Sequence, residues 1–282
     1  MTDPKLIIHG GFFSESTDMN LKRAKQEALA DIVSRAHAYL QNHSAVETVV
    51  FAVSLLEDNP LFNAGLGSQI QSDGEIRLSA SLMDGQKPCF SGVINIQAVQ
   101  NPIRIAEVLK DQDDHVLSGK EALNFARHAG FGDFNPETAE RRSAFEKKLQ
   151  ETSGMGTVGC VALDSQGRLA AATSTGGKGF EMPGRVSDSA TVAGNFANAH
   201  AAVSCTGVGE DIVNVALAAK IVTRVTDGFT LIEANEKSFL ELKEFDGFAG
   251  AISISAKGEM VHLDSHPYMV WASYDTKLEV FE

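Results

Sequence analysis

Apolar positions along this chain recur with two periods. Leu6-Ile7-Ile8 is a short unbroken run closing on Gly10-Gly11, which predicts a buried strand ending at a glycine pair. Over residues 20–41, Leu29, Ile32, Val33, Ala36 and Leu40 fall at helical spacing with charge on the opposite face. Ser44-x-x-Glu47 forms a capping box for a second helix running through Val49, Val50, Val53 and Leu56. The loop 56–67 holds Pro60, Gly65 and Gly67 but also Leu61 and Phe62, so it is expected to be packed; its Asn63 is a turn former or an amide aimed into a site. Ile76, Leu78, Ala80 and Leu82 alternate with polar residues up to the turn at Asp84-Gly85, and 92–96 reads as another strand. Two helices follow, Pro102–Leu109 and, behind the box Ser118-x-x-Glu121, 122–128.

From about 130 to 156 the pattern breaks. The stretch is polar and charged, with Glu140-Arg-Arg142 and Glu146-Lys-Lys148, and reads as a linker ending just before Thr157; a charged surface helix over 136–150 followed by a loop fits equally. Beyond it, Val158–Leu163 and 169–172 predict a hairpin around Asp164-Ser-Gln-Gly167. Strands are expected at 191–197 and 201–205, helices at 210–226 and 230–245, and a closing hairpin at 249–254 and 260–263. Strands and helices come in runs rather than strict alternation, which favours a sheet-on-sheet core with helices outside.

Composition narrows the function. The chain has 282 residues, 43% of them apolar, enough for one large or two ordinary domains. With 24 basic against 37 acidic residues the net charge is -13, which argues against nucleic-acid or anionic-membrane partners and for a small-molecule or peptide substrate. No apolar leader opens the chain and no run is long enough to span a bilayer, so a cytoplasmic location is expected. Cys89, Cys160 and Cys205 are odd in number and widely spaced, which indicates neither a disulfide framework nor a zinc site. Cys160 and Cys205 lie near key threonines, but their apolar surroundings suggest inert burial rather than a nucleophile.

The candidate chemistry centres on Gly156-Thr-Val-Gly159, where a threonine opens a buried strand. A threonine hydroxyl needs a base, and no histidine lies between residues 154 and 188. Cutting the Gly156-Thr157 bond would free an α-amine with an unperturbed pKa of about 8, suited to that task. A second hydroxyl stands before glycines in Thr173-Ser-Thr175-Gly-Gly177. In Pro183-Gly-Arg185-Val-Ser-Asp188 the arginine can grip a carboxylate and the aspartate an ammonium, together recognising an α-amino-acid end. Ser204-Cys-Thr206-Gly207 ends a strand at a helix start, where a hydroxyl and backbone N–H groups suit an oxyanion. Lys178 after Gly176-Gly177 lacks the spacing of a phosphate loop.

His9-Gly-Gly11, Leu61-Phe-Asn-Ala-Gly65, Met83-Asp-Gly85 and the four motifs above, in this order over most of the chain, resemble the plant-type L-asparaginase and isoaspartyl peptidase family. The resemblance implies an N-terminal nucleophile hydrolase with an α+β fold, a four-layer αββα sandwich. It implies one domain over 1–282, self-cleaved at Gly156-Thr157 into an α part, 1–156, and a β part, 157–282. By the same motifs Thr157 would be the nucleophile and Thr175 its hydrogen-bonding support. Arg185 and Asp188 would bind the substrate, Thr206, Gly207 and Asn63 would serve the oxyanion, and Gly10 and Gly11 would flex during cleavage. Backbone carbonyls of Leu56, Glu57, Asn59, Phe62, Ala64 and Leu66 would wrap a structural sodium ion, with no cofactor needed for the chemistry. Substrates would be L-asparagine and β-aspartyl dipeptides, and the assembly a homodimer of α–β pairs. Phe12-Phe13, where small residues are common, Ser79 in place of an acidic residue, and Asp264-Ser-His-Pro267 depart from the family pattern. Two alternatives remain open at this level: a glycosylasparaginase-like amidohydrolase, and an unprocessed, non-catalytic binder of an amino acid or a protein.

Overall fold

The computed structural model describes residues 2–13, 18–147 and 156–282. Its strands build two sheets. β1 (Lys5–Phe12), β2 (Leu78–Asp84), β3 (Cys89–Ile96), β4 (Val116–Ser118), β5 (Val158–Leu163) and β6 (Leu169–Thr175) join the later β11 (Met269–Tyr274) and β12 (Leu278–Val280) in an eight-stranded sheet. Its order is β12-β11-β1-β5-β6-β2-β3-β4. β7 (Asn195–Ala197), β8 (Ala201–Gly207), β9 (Ala249–Ser255) and β10 (Met260–Asp264) form a four-stranded sheet, β10-β9-β8-β7. All neighbouring strands pair antiparallel except β3 and β4.

Side-chain alternation explains why the central strands read as unbroken apolar runs: both faces are covered. On β1, Leu6 and Ile8 enter a core shared with α1 (Met19–Leu40), α2 (Ala45–Glu57), α3 (Pro102–Leu109) and α4 (Gly119–His128), whereas Ile7 enters a core against the other sheet. Val158, Cys160 and Ala162 of β5 go to the helices, and Val161 and Leu163 to the other sheet. The second sheet repeats the scheme: Val203 and Cys205 meet α6 (Gly209–Val215), α7 (Leu217–Thr226) and α8 (Leu231–Lys243), while Ala202, Ile252 and Ile254 face the first sheet.

Several expectations change in detail. The predicted helix over 210–226 is two helices, broken at Ala216, whose left-handed φ of 50° stops α6. Only Asn195–Ala197 of the expected strand 191–197 pairs; Thr191 O accepts from Gly194 and Asn195 in a turn before it. The box at Ser118 makes no side-chain cap, unlike the box at Ser44. β11, absent from the sequence reading, covers the outer edge of β1. Within the expected linker, α5 (Ala139–Glu146) realises the helix alternative. It is tied down: Arg141 Nε donates to Gly67 O at 2.7 Å, and Phe145 stacks on Phe180. Residues 148–155 of that linker lie outside the described residues. Cys160 and Cys205 are fully buried and burial raises both thiols, which removes them as nucleophiles. Phe12 and Phe13 have seats of their own, Phe12 edge-on to Phe248 at 4.6 Å and Phe13 against Tyr268 and Phe281. Among the described residues no helix is long and apolar enough to cross a membrane.

Candidate active site

The gap between the sheets changes character along the strands. One half is filled by Ile7, Val161, Leu163, Ala171 and Ile252. By the same alternation the other half receives His9, Thr157, Thr173, Thr175, Ser204 and Thr206, all buried. Buried hydroxyls persist only with hydrogen-bond partners or an assigned ligand, so this polar half is where chemistry is to be sought.

Its centre is Thr157. Thr157 Oγ1 donates to Thr175 Oγ1 at 3.3 Å and lies 3.3 Å from Ser189 Oγ. Across the candidate scissile bond, Asn63 Nδ2 donates to Gly156 O at 2.7 Å, and Thr175 Oγ1 lies 3.5 Å from the same oxygen. Asn63 is therefore an amide aimed into the site. Its own backbone O accepts from Gly176 N at 3.0 Å, fixing the loop to the end of β6.

Beneath Thr157 runs a chain of hydrogen bonds whose direction follows from valence. Burial pushes the His9 imidazole down to about 3, so the ring is neutral and carries one proton. A carbonyl only accepts; His9 Nδ1 therefore donates to Thr157 O at 2.9 Å, and Nε2 accepts from Ser204 Oγ at 2.8 Å. Ser204, its proton committed, accepts from Thr173 Oγ1 at 2.7 Å. Space for this relay exists because residue 159 has no side chain: a Cβ there would overlap Ser204 Oγ and His9 Nε2. Gly159→Ala is expected to cost about 3 kcal/mol of stability, read as a lowered melting temperature, the upper end of the usual overpacking penalty.

A narrow cleft opens over Thr157, bordered by Gly156, Thr175, Gly177, Lys178, Arg185, Ser187, Asp188, Gly207 and Gly209. Asp188 is buried, and among the described residues nothing donates to its Oδ2. That burial pushes its carboxyl up to about 6, against the opposing pull of Arg185. Arg185 is fixed on one side by a two-point contact, Nε to Glu210 Oε1 at 2.7 Å and Nη2 to Oε2 at 2.8 Å. Gly209 lets both approach, since a Cβ there would sit 2.8 Å from Asp188 Oδ1 and 2.9 Å from Arg185 Nη2. Thr206 Oγ1 is also buried without a partner among the described residues, and Gly207 beside it lines the cleft.

Of the residues singled out in the sequence, the cleft thus gathers Gly156, Thr157, Thr175, Arg185, Asp188 and Gly207, with Asn63 reaching it through Gly156. Gly10 and Gly11 do not line it: they form the bulge where β1 slips register against β11, and Gly10 abuts the Phe62 ring. Their neighbour His9 makes the contact instead. His9 and Ser189 were missed as contributors, although Ser189 directly follows Asp188 and His9 shares a strand face with Ile7.

The loop after α2 is a separate feature. Leu66 N donates to Glu57 O at 2.8 Å and Phe62 N to Asn59 O at 3.1 Å, curling 57–66 into a compact turn. Among the described residues nothing donates to the carbonyls of Phe62, Ala64 and Leu66. The Glu57 carboxyl, by contrast, is buried in the core, accepts from Ile103 N at 3.1 Å, and is pushed up to about 8 by burial.

A hydroxyl cluster at the mouth of a strand, an amide on the adjoining carbonyl, and a paired cation and anion nearby are the parts of a hydrolase. The chain belongs to the asparaginase family, whose sequence model, described as Asparaginase, matches residues 2–280. It is similar to an isoaspartyl peptidase/L-asparaginase of Nostoc sp., 47% identical over 275 residues, covering 90% of this chain and 86% of the relative. An isoaspartyl peptidase of Escherichia coli is 38% identical, with 90% and 88% covered. A plant-type L-asparaginase of Pyrococcus furiosus is 34% identical, with 95% of each covered.

Proposed function

We propose that this protein is an isoaspartyl (β-aspartyl) dipeptidase with L-asparaginase activity that matures by cutting its own Gly156-Thr157 bond. The observation that carries the reading is the double engagement around that bond: hydroxyls on either side of Thr157 Oγ1, and the Asn63 amide on the Gly156 carbonyl.

In maturation Thr157 Oγ1 attacks the Gly156 carbonyl carbon. Asn63 stabilises the oxyanion, and the peptide bond passes to an ester as the Thr157 nitrogen takes a proton. Water then splits the ester, leaving a Gly156 carboxylate and a free Thr157 amine. In turnover this amine takes the proton of Oγ1, which attacks the side-chain carbonyl of asparagine or of a β-aspartyl dipeptide. The proton goes to the departing nitrogen, a β-aspartyl ester remains on Thr157, and water releases aspartate. Thr175 and Ser189 hold the hydroxyl in line. Thr206 and Gly207 face the substrate oxyanion, a role suited to the partnerless Thr206 hydroxyl. Arg185 takes the α-carboxylate and Asp188 the α-ammonium.

The wider reading is a four-layer αββα sandwich of the N-terminal nucleophile type in a single domain, supported by three stacked apolar cores. A homodimer of cleaved pairs in the cytoplasm accompanies it. The loop 56–66 is proposed to hold a sodium ion, since its partnerless carbonyls, those of Phe62, Ala64 and Leu66, follow the electronegative end of α2. The ion would rigidify the loop that carries Asn63.

The test is hydrolysis by cleaved protein of asparagine and of a β-aspartyl dipeptide; failure on both overturns the assignment. Acid sensitivity gives a second check. Asp188 must be ionised to bind an ammonium, and with its carboxyl at about 6 most of it is charged at pH 7 and protonated at pH 5. KM is therefore expected to rise about tenfold from pH 7 to pH 5, one decade for the lost ionised fraction, and to flatten above pH 7.

A further inference from the structure

The cleft over Thr157 continues into an open groove, and Lys178, Arg185 and Glu210 border that groove, Lys178 and Arg185 bordering both spaces. Arg185 is held along one edge by its two-point contact with Glu210, which leaves the rest of its guanidinium for the α-carboxylate. Lys178 is not so held: its Nζ stands 3.5 Å from the Glu210 oxygen that Arg185 already holds at 2.7 Å, and its side chain is 49% exposed. Two cations thus share one anion. The groove also presents Phe180 and Met182, the latter 79% exposed.

Asparagine has no use for this arrangement. Its zwitterion calls on one cation and one anion, which Arg185 and Asp188 provide, and its leaving group is ammonia. A β-aspartyl dipeptide differs on the far side of the scissile bond, where a whole amino acid departs. That residue's carboxylate is two bonds from the scissile nitrogen, so it must lie at the rim just outside Thr157. Glu181, the remaining acid beside the groove, is buried beneath Gly177 and accepts from Gln71 Nε2 at 3.3 Å, so it faces inward rather than across the rim.

We propose that Lys178 and the adjoining groove form the subsite for the leaving residue of β-aspartyl dipeptides. Lys178 takes its free α-carboxylate, and Phe180 and Met182 take an apolar side chain. This rests on the function proposed above and specifies which of its substrates the site is shaped for: dipeptides with a free C-terminal carboxylate.

The experiment compares β-aspartyl-leucine with the same dipeptide capped as its C-terminal amide, using the mature protein and the variants Lys178→Met and Lys178→Arg. The wild type is expected to favour the free carboxylate by about tenfold in kcat/KM, the range of one hydrogen bond between charged groups. In Lys178→Met the two substrates should become equal, and in Lys178→Arg the preference should survive. If the wild type does not discriminate, or the methionine variant keeps the preference, the subsite is wrong although the enzyme is right. If mature protein hydrolyses neither dipeptide nor asparagine, the function itself falls and the subsite with it.

Discussion

Thr157→Ala is expected to stay a single chain of 282 residues by intact mass, while the wild type resolves into fragments of 156 and 126 residues. The substitution removes the hydroxyl and one methyl group and leaves the neighbouring hydroxyls provided for: Thr175 Oγ1 still accepts from Gly177 N at 3.1 Å, and Ser189 Oγ retains the Ser187 hydroxyl at 3.5 Å. The fold should therefore survive, which a melting curve checks. Hydrolysis should fall by about 10⁴-fold or more, because the variant loses both the hydroxyl that forms the ester and, in an uncut chain, the terminal amine that would activate it. Thr157→Ser keeps the oxygen and should still cleave. An alanine variant that separates into two fragments, or a wild type that remains whole while hydrolysing amides at full rate, would defeat the proposal.

Arg185→Met is expected to lower kcat/KM for both substrates by about 10²- to 10³-fold, mostly through KM. The size is that of removing one partner from a desolvated charge pair, since the Arg185 side chain is 13% exposed. Methionine replaces the aliphatic stem, and Glu210, itself 49% exposed, regains water, so stability should change little. Lysine should rescue only partly: it restores charge without the fork that engages Glu210 and a substrate carboxylate together. A loss confined to kcat with KM unmoved would remove Arg185 from ground-state recognition.

How legible all this is in the sequence differs by element. β1, β5 and β6 stand out because burial on both faces leaves no polar residue to interrupt Leu6-Ile7-Ile8 or Val158–Leu163. α2 announces itself through a box that the structure closes at both ends, Glu47 N donating to Ser44 Oγ and Ser44 N to Glu47 Oε2. The break at Ala216 has no local signal, because Val215, Ala216 and Leu217 are all tolerated in a helix; it is imposed from outside, where Ala218 N and Ala219 N donate to Ala193 and Val192. β11 went unseen although Met269-Val-Trp-Ala is an apolar run; a short strand shows its identity only beside the edge it covers. In the site, hydroxyls next to glycines could be found by motif. His9 could not: its partners are 148 and 195 residues away, and only the folded register brings them to one ring. The Asn63 amide could be singled out by its motif, but its contact with Gly156 O spans 93 residues and shows only in the fold.

The strand order decides what the proposed cut would do to the molecule. β5, which begins just after Thr157, lies between β1 and β6, and β2, β3 and β4 continue beyond β6. A break before Thr157 therefore separates no lobes: each product supplies staves that the other needs on both flanks, laced by the ladders from Lys5↔Leu163 to His9↔Gly159 and from Ser79↔Thr175 to Asp84↔Ala170. The severed halves should copurify through dilution and size exclusion, come apart only when the shared sheet melts, and be unable to refold singly. A nick there would thus cost the architecture nothing, and would leave a loose terminus where the proposed chemistry needs a free amine.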